Sequence, residues 1–221
     1  MARPGRWRGT SVSWTPPEAP AGKRPDLRSM VKMEDLVLRS LLADTLDPEP
    51  RSQPGPGEHL AAVLVPIVED QDPWVVFTRR TDELPRHAGE ISFPGGLTHT
   101  VDAALRDTAL RETEEELGLS PSEVDVLGAL PSVHTFVSSI LIVPFVGMLR
   151  PRPTFAPNAG EIAEVLQYPL VQLADAEREV ELPRGDHVYR GFAYEMQDNT
   201  IWGATAFILH SLIEIVRKEQ S

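Results

Sequence analysis

A glycine pair, Gly95-Gly96, opens the stretch that most constrains this chain. Neither Pro nor Gly occurs between Val101 and Leu117, so the spacing predicts a helix over those residues, with Gly118 as its C-terminal cap. Glu112, Glu114, Glu115 and Glu116 crowd the end of that helix. Like charges four residues apart destabilise a helix, and acids near its C-terminus oppose the macrodipole. An ordinary solvated helix carries Lys or Arg there. Glu112, Glu115 and Glu116 stand at i, i+3 and i+4, so their carboxylates are expected to converge on one face. Two readings meet that pattern. One is a solvated acidic helix end. The other is a bound hard cation, and Mg²⁺ prefers oxygen ligands.

Composition narrows the classes open to the chain. Its 221 residues, 41% of them hydrophobic, suffice for one good-sized domain plus tails. A net charge of −12 argues against a broad nucleic-acid footprint but leaves room for a local basic pocket. With no Cys, disulfides, zinc-thiolate sites and thiol nucleophiles are excluded; a reducing cytosol is compatible, and a cytoplasmic location is expected. No membrane association is expected. The longest apolar run, 140–149, is too short to span a bilayer and carries Pro144. The start lacks the apolar core of a secretory signal, and its prolines argue against a transit peptide.

Residues 1–57 read as a disordered or peripheral segment with one short helix. Pro, Gly, Arg and Ser dominate the first 29 positions, too polar to offset the entropy of ordering. The helix is expected from Met33 to Leu46, with Leu36, Val37, Ser40 and Leu41 on one side, and Pro48, Pro50, Pro54 and Pro56 make a linker. The compact domain is expected over 58–221. Strands are predicted at Leu60–Val68, Trp74–Thr78 and Ile91–Phe93, with a basic loop from Arg79 to Glu90. Further strands are predicted at Val124–Leu130, at Val137–Leu149 with interruptions at Pro144 and Gly147, and at Glu161–Tyr168. A short helix over Pro169–Leu173, a hairpin of His187–Met196 with Thr200–Trp202, and a last helix over Gly203–Lys218 follow. The fold class is α/β (α+β), a mixed β-sheet sandwiched between helices.

The run Gly96 … Arg111-Glu112-Thr113-Glu114-Glu115-Glu116-Leu117-Gly118-Leu119 resembles a Nudix box, which ends Arg-Glu-(apolar)-x-Glu-Glu-x-Gly-(apolar). Every charged and glycine position of that second half is met, with Thr113 in the usual apolar slot. Upstream, Leu84-Pro85-Arg86-His87-Ala88-Gly89-Glu90 running into Phe93-Pro94-Gly95-Gly96 is similar to the extra signature of the coenzyme A pyrophosphatase branch. Thr108-Ala109-Leu110 and Trp202-Gly203-Ala204-Thr205-Ala206 also resemble that branch, so the likeness covers roughly 58–215. There are departures. Ala103 stands where the general box has a Glu, and Asp102 fits the branch better. Glu90 replaces the branch's Gln, and Thr98-His99-Thr100 replaces a common Asp-Pro turn.

The resemblance implies a pyrophosphohydrolase that needs Mg²⁺ or Mn²⁺ and acts on a small nucleoside diphosphate substrate. The branch implies coenzyme A or a derivative, cleaved to 3′,5′-ADP and 4′-phosphopantetheine. ADP-ribose, a dinucleotide or a damaged nucleotide is the alternative, and a Nudix-like binding module with weakened catalysis is a second. Glu112 and Glu116, with Glu115 and the Gly96 carbonyl, are the implied metal ligands; Glu112, Glu115 and Arg111 are the catalytic set. Arg111, through its planar fork, is expected to orient a glutamate. Glu161 and Glu164 are alternative general bases. Arg79, Arg80, Arg86, His87 and Gly95 are candidates for the substrate's phosphates. Each has a plainer reading: the loop arginines as solvated charges, Glu161 and Glu164 as surface acids, the glycines as turn residues. His134 and His210 are assigned to structure, and Trp202 and Phe207 to packing ahead of any substrate stacking. A homodimer is left open.

Overall fold

The computed structural model describes residues 35–70, 72–83, 89–135, 139–184 and 187–218. In chain order its elements are α1 (Asp35–Thr45), β1 (His59–Val68), β2 (Trp74–Arg80), β3 (Ile91–Ser92), β4 (Gly95–Leu97), α2 (Leu105–Leu117), β5 (Val124–Ala129), β6 (Val133–Thr135), β7 (Ile140–Leu149), β8 (Ile162–Pro169), α3 (Leu170–Ala176), β9 (Glu177–Arg184), β10 (His187–Met196), β11 (Asn199–Ile201) and α4 (Gly203–Lys218).

Strand β1 explains the layering. Its Ala62, Leu64 and Val68 face one way, its Val65 and Ile67 the other, and all five are buried. A strand apolar on both faces belongs inside a sheet that is covered twice. Accordingly β1 pairs in parallel with β7 from end to end and antiparallel with β2 and β4. The eight-stranded sheet runs β3-β2-β1-β7-β5, with β4 on β1, β6 on β7 and β8 on β2. Helix α2 covers one face through Ala109 and Leu117. The other face carries the main core, where Leu209, Leu212, Ile213 and Val216 of α4 meet Phe77, Val146 and Met148. A second, antiparallel sheet of β9, β10 and β11 adds Tyr194, Met196 and Ile201 to that core. The mixed sheet between helices is thus as expected.

Four details depart from the sequence reading. The first helix buries Leu38, Leu41 and Leu42, while Val37 and Ser40 face solvent. The apolar stripe is therefore shifted from the expected face, and Leu38, Leu42 and Leu46 enter the main core. Strand β7 is not interrupted. The Pro144 carbonyl accepts from Leu130 N at 2.8 Å, so the proline nitrogen faces the gap between β5 and β6, where no ladder bond is lost. The ladder runs through Gly147, where only glycine fits: a Cβ would lie 2.6 Å from Val124 Cγ1 and 2.9 Å from Leu64 Cδ1. Strand β9 was not foreseen, since five of its eight residues are charged. Its pairing with β10 supplies the order that its composition does not.

Helix α2 begins at Leu105 rather than Val101. Asp102 folds the preceding segment into a turn: its backbone N–H donates to His99 O at 3.1 Å and its side chain accepts from His99 N at 2.9 Å. Asp107 then reaches back to the Ala104 N–H at 3.1 Å, closing the first helical turn.

Candidate active site

The glycine pair is fixed by its neighbours. In β4, Gly95 lies opposite Val63 and Gly96 opposite Ala62. At Gly95 φ is +154°, and a Cβ would stand 2.5 Å from Ala62 O and Val63 Cα. Both obstacles are backbone, so no side chain fits. Gly96 is needed for a different reason. A Cβ there would sit 2.5 to 2.6 Å from all three carboxyl atoms of Glu112. The Glu112 carboxylate therefore lies against the bare backbone of Gly96, while the Gly95 N–H donates to Glu116.

Arg111 organises the next shell. Its Nε and Nη2 fork onto Asp102 at 3.1 and 3.2 Å, and its Nη1 reaches Glu112 at 2.8 Å and Glu115 at 3.3 Å. Asp102 also accepts from Thr108 Oγ1 at 2.7 Å. The Arg111 guanidinium, with the His99 N–H and the Thr108 hydroxyl, holds the Asp102 carboxyl well below the usual carboxylate range. The expected orienting role of Arg111 thus has a geometry: Asp102 anchors the fork, and the remaining nitrogen restrains Glu112. Asp102 is the residue whose part the sequence did not reveal. Its place where the branch carries an acid was the only signal. Thr113 fits the apolar slot because its hydroxyl bonds back to Ala109 O at 2.7 Å inside the core.

The acidic helix end is only partly solvated. Glu114 and Glu115 are exposed, but Glu116 is buried. Gly118, at φ +69°, caps the helix and donates to Glu114 O at 2.9 Å. The loop before β8 supplies the other donors, Ala156 N to Leu117 O at 2.8 Å and Asn158 N to Glu116 O at 3.0 Å. Two carbonyls that would otherwise repel the glutamates are thereby satisfied. The same loop leads to Glu161, whose carbonyl accepts from Thr81 N at 2.9 Å.

Burial pushes the Glu116 carboxyl up to about 8, with the negative charges of Glu112 and Glu161 adding to it. Arg80 opposes the rise, its Nη1 standing 3.9 Å from Glu116 Oε1, as does the Gly95 N–H. Glu116 Oε2 is buried and has no hydrogen-bond partner among the described residues; the same is true of Arg80 Nε and Thr81 Oγ1. A buried acceptor left bare costs about 1–3 kcal/mol, more when charged. This donor set fits a hard divalent cation: oxygen atoms only, like charges within reach of one another, and one carboxylate oxygen lacking any other partner.

The three glutamates do not converge as the helical spacing implied. Among the described residues, no three acidic, His or Cys side chains stand close enough to hold an ion as placed. Arg111 draws Glu112 and Glu115 to itself, and Glu116 turns inward. Of the alternative bases, Glu161 lies within electrostatic range of Glu116, whereas Glu164 is opposite Arg79 across β2 and β8 and pairs with it. Arg80 sits at a β-bulge beside Glu116. Arg86 and His87 lie outside the described residues. His134 bonds Glu58 and His210 bonds Glu177, as structural residues would. Phe207 packs edge-on against Phe192. Trp202, assigned to packing from the sequence, is instead 51% exposed, because the chain turns outward between Ile201 and α4.

Comparison with known proteins agrees with this geometry. The NUDIX domain profile matches residues 58–192. The chain is 36% identical over 165 residues to the Nudix hydrolase NudL of Pectobacterium atrosepticum, itself described as uncharacterised, covering 74% of this chain and 85% of that protein. It is 34% identical over 190 residues to the NudL of Photorhabdus laumondii, covering 85% of this chain and 100% of the relative. In three dimensions it is similar to the MutT protein of Methanosarcina mazei, with a TM-score of 0.51 at 16% identity over 78% of this chain and all of that one. With more than half its length matched and its box residues folded around the glycine pair, the chain belongs to the NUDIX family of hydrolases.

Proposed function

We propose that this protein hydrolyses the pyrophosphate bond of coenzyme A or its derivatives, releasing 3′,5′-ADP and 4′-phosphopantetheine. Nudix hydrolases generally use divalent metals and act on small nucleoside diphosphate compounds, and this chain is a pyrophosphohydrolase of that family. The observation that carries a metal-dependent reading is Glu116, buried beside Glu112 with one oxygen bare. Glu112, Glu116 and the Gly96 carbonyl would hold Mg²⁺ or Mn²⁺, with Glu115 adjacent. The metal, when bound, supplies positive charge to the pyrophosphate and lowers the pKa of water at the site.

The chain's own residues do the rest. Arg111, anchored on Asp102, fixes the Glu112 carboxylate over Gly96. Glu112 is the proposed acceptor of the attacking water's proton, and Glu161, on the loop that caps α2, is the alternative base. Arg80 at the rim offers charge to the substrate's phosphates, while Arg79 is shared with Glu164. The narrower substrate assignment rests on the sequence from Leu84 to Gly96.

One feature favours a second reading. Glu90, in place of the branch's Gln, adds a negative charge beside a polyanionic substrate, which would suit ADP-ribose or a dinucleotide better than coenzyme A. A panel of coenzyme A, ADP-ribose, NADH and nucleoside triphosphates, incubated with Mg²⁺ or Mn²⁺ and resolved by mass, separates these. Turnover of ADP-ribose with none of coenzyme A overturns the assignment. Turnover of nothing favours a binding module.

A further inference from the structure

Strand β2 carries a cation to the acidic end of α2 without bonding it there. Val76 packs with Leu117 of α2, and Thr78 is fully buried. Side chains alternate along a strand, so Val76, Thr78 and Arg80 share the face that α2 covers, while Arg79 takes the other face and pairs with Glu164. The pairing with β8 slips between Arg79, opposite Glu164, and Arg80, opposite Ile162, which leaves Ala163 unmatched. Bulges of this kind re-aim a side chain. The backbone around the bulge is held. Arg80 N donates to Glu90 O at 3.1 Å, and Thr81 N donates to Glu161 O at 2.9 Å. Movement here is left to the Arg80 side chain.

Three other arginines are covered to a similar degree. Arg39, Arg111 and Arg217 have 32%, 22% and 16% of the side chain exposed, against 27% for Arg80. Each of the three donates to a carboxylate at 2.7 or 2.8 Å, on Glu69, Glu112 and Glu177 respectively. Arg80 makes no such bond to Glu116. Its Nη1 stands 3.9 Å from Glu116 Oε1, beyond hydrogen-bond range, and its buried Nε has no partner among the described residues. Opposite charges at this separation attract, the more so where water is thin. A divalent cation at Glu116 would cancel that attraction and repel the guanidinium. The phosphates of a substrate would then be its partner.

We propose that Arg80 couples metal binding to substrate binding: Glu116 holds it while the metal is absent, and a divalent cation at Glu116 releases it to the substrate's phosphates. The proposal rests on the pyrophosphohydrolase reading above and on Glu116 as a ligand. Such coupling is reciprocal, so a substrate that draws Arg80 away tightens the metal by the same factor.

The test measures binding by calorimetry, on the full chain at pH 9. That lies above the Glu116 value of about 8, so the carboxylate is charged with or without metal. Wild type, Arg80→Gln and Arg80→Lys are first shown to be folded by their thermal midpoints in chelator. Mg²⁺ alone is then titrated. Arg80→Gln, which lacks the competing cation, should bind it more tightly by about fivefold or more, and Arg80→Lys, which keeps one, should stay close to wild type. Next, 3′,5′-ADP and 5′-AMP, the nucleotide halves of coenzyme A and ADP-ribose, are titrated in chelator and in saturating Mg²⁺. In chelator Arg80→Gln should change their affinity little, because Glu116 already engages Arg80. With Mg²⁺ it should weaken the nucleotide of the cleaved substrate by about tenfold. Equal losses with and without Mg²⁺ would make Arg80 a fixed phosphate contact and overturn the proposal. Equal Mg²⁺ affinity in wild type and Arg80→Gln also overturns it, as does Arg80→Lys behaving like Arg80→Gln. If no substrate in the panel is cleaved, the pyrophosphohydrolase reading falls, and the Mg²⁺ comparison still decides whether Arg80 competes for Glu116.

Discussion

Glu116 and Glu177 are both glutamates with 4% of their surface exposed, and the protein treats them in opposite ways. Around Glu177 the donors are complete. Tyr194 Oη donates at 2.8 Å, Arg217 Nη1 at 2.7 Å, and His210 Nδ1 lies 3.1 Å away. Burial alone would raise its pKa, but the bonds from Arg217, His210 and Tyr194 outweigh that and hold it below the ordinary glutamate value of 4.5. Around Glu116 the donors run out. Arg80 stands at 3.9 Å, Gly95 N donates once, and Oε2 has no partner among the described residues. Its pKa goes up to about 8. Glu177 brings its own counter-charges; Glu116, the proposed metal ligand, does not, which would leave a position for something that arrives from solution.

The largest consequence falls on Glu177. Glu177→Ala leaves the Arg217 guanidinium with Glu214 and the Ala174 carbonyl alone and removes the partner of Tyr194 and His210, so β9 loses its tie to α4. Breaking a buried ion pair from one side costs about 3–5 kcal/mol. Urea unfolding should show that loss, while kcat/KM per folded molecule stays within twofold of wild type. A catalytic defect without a stability defect would reverse the roles assigned to the two glutamates.

Glu116→Gln should do the opposite. Even residues that only support a metal ligand are worth 10–100-fold, so loss of the ligand itself should lower activity by about 100-fold or more. Stability without metal should hold or improve, because the variant no longer has to take up a proton or bury a charge at this position in order to fold. Full activity with Mg²⁺ in this variant would sink the metal assignment.

What could be read from residues alone follows the same division. The end of α2 stood out because it carries residue types that are costly without a compensating role: acids at a helix C-terminus, beside glycines where no Cβ fits. The strands with apolar runs, the hairpin around Gln197 and the full extent of α4 were legible from periodicity. Partners far apart in sequence were not. Nothing in Glu177–Arg184 announces a strand, because its order comes from pairing with β10 and from three donors on β10 and α4. Asp102 gave little sign of its part beside the glutamates, since that depends on Arg111 nine residues later. The inward turn of Glu116 depends on Ala156 and Asn158 closing the helix end, and the exposure of Trp202 on a glycine turn after a buried isoleucine.

Proton competition sharpens the contrast at the site. With its pKa near 8 in the metal-free protein, Glu116 must lose a proton before it can ligate. Mn²⁺ affinity measured by calorimetry should therefore rise by up to about tenfold per pH unit between pH 6 and 7 and level off above 8. Glu116→Gln should flatten that dependence. A pH-independent affinity in the wild type would mean that Glu116 is not the group displaced.

Stability without metal gives the finest test, because the two glutamates act with opposite sign. For Glu116, raised above 4.5, the contribution is whole below the unfolded value and is lost as the pH rises through about 8. For Glu177, lowered below 4.5, the contribution is present above the unfolded value and is lost as the pH falls through the folded one. Wild-type stability in chelator should therefore fall on both sides of a weakly acidic optimum. Glu116→Gln should remove part of the decline between pH 5 and 8 and leave the acid limb untouched. Glu177→Gln, less stable throughout, should show a shallower acid limb and an unchanged alkaline one. Parallel curves for wild type and both variants would show that neither carboxylate titrates differently on folding, and the contrast between a satisfied and an unsatisfied buried glutamate would have no energetic content.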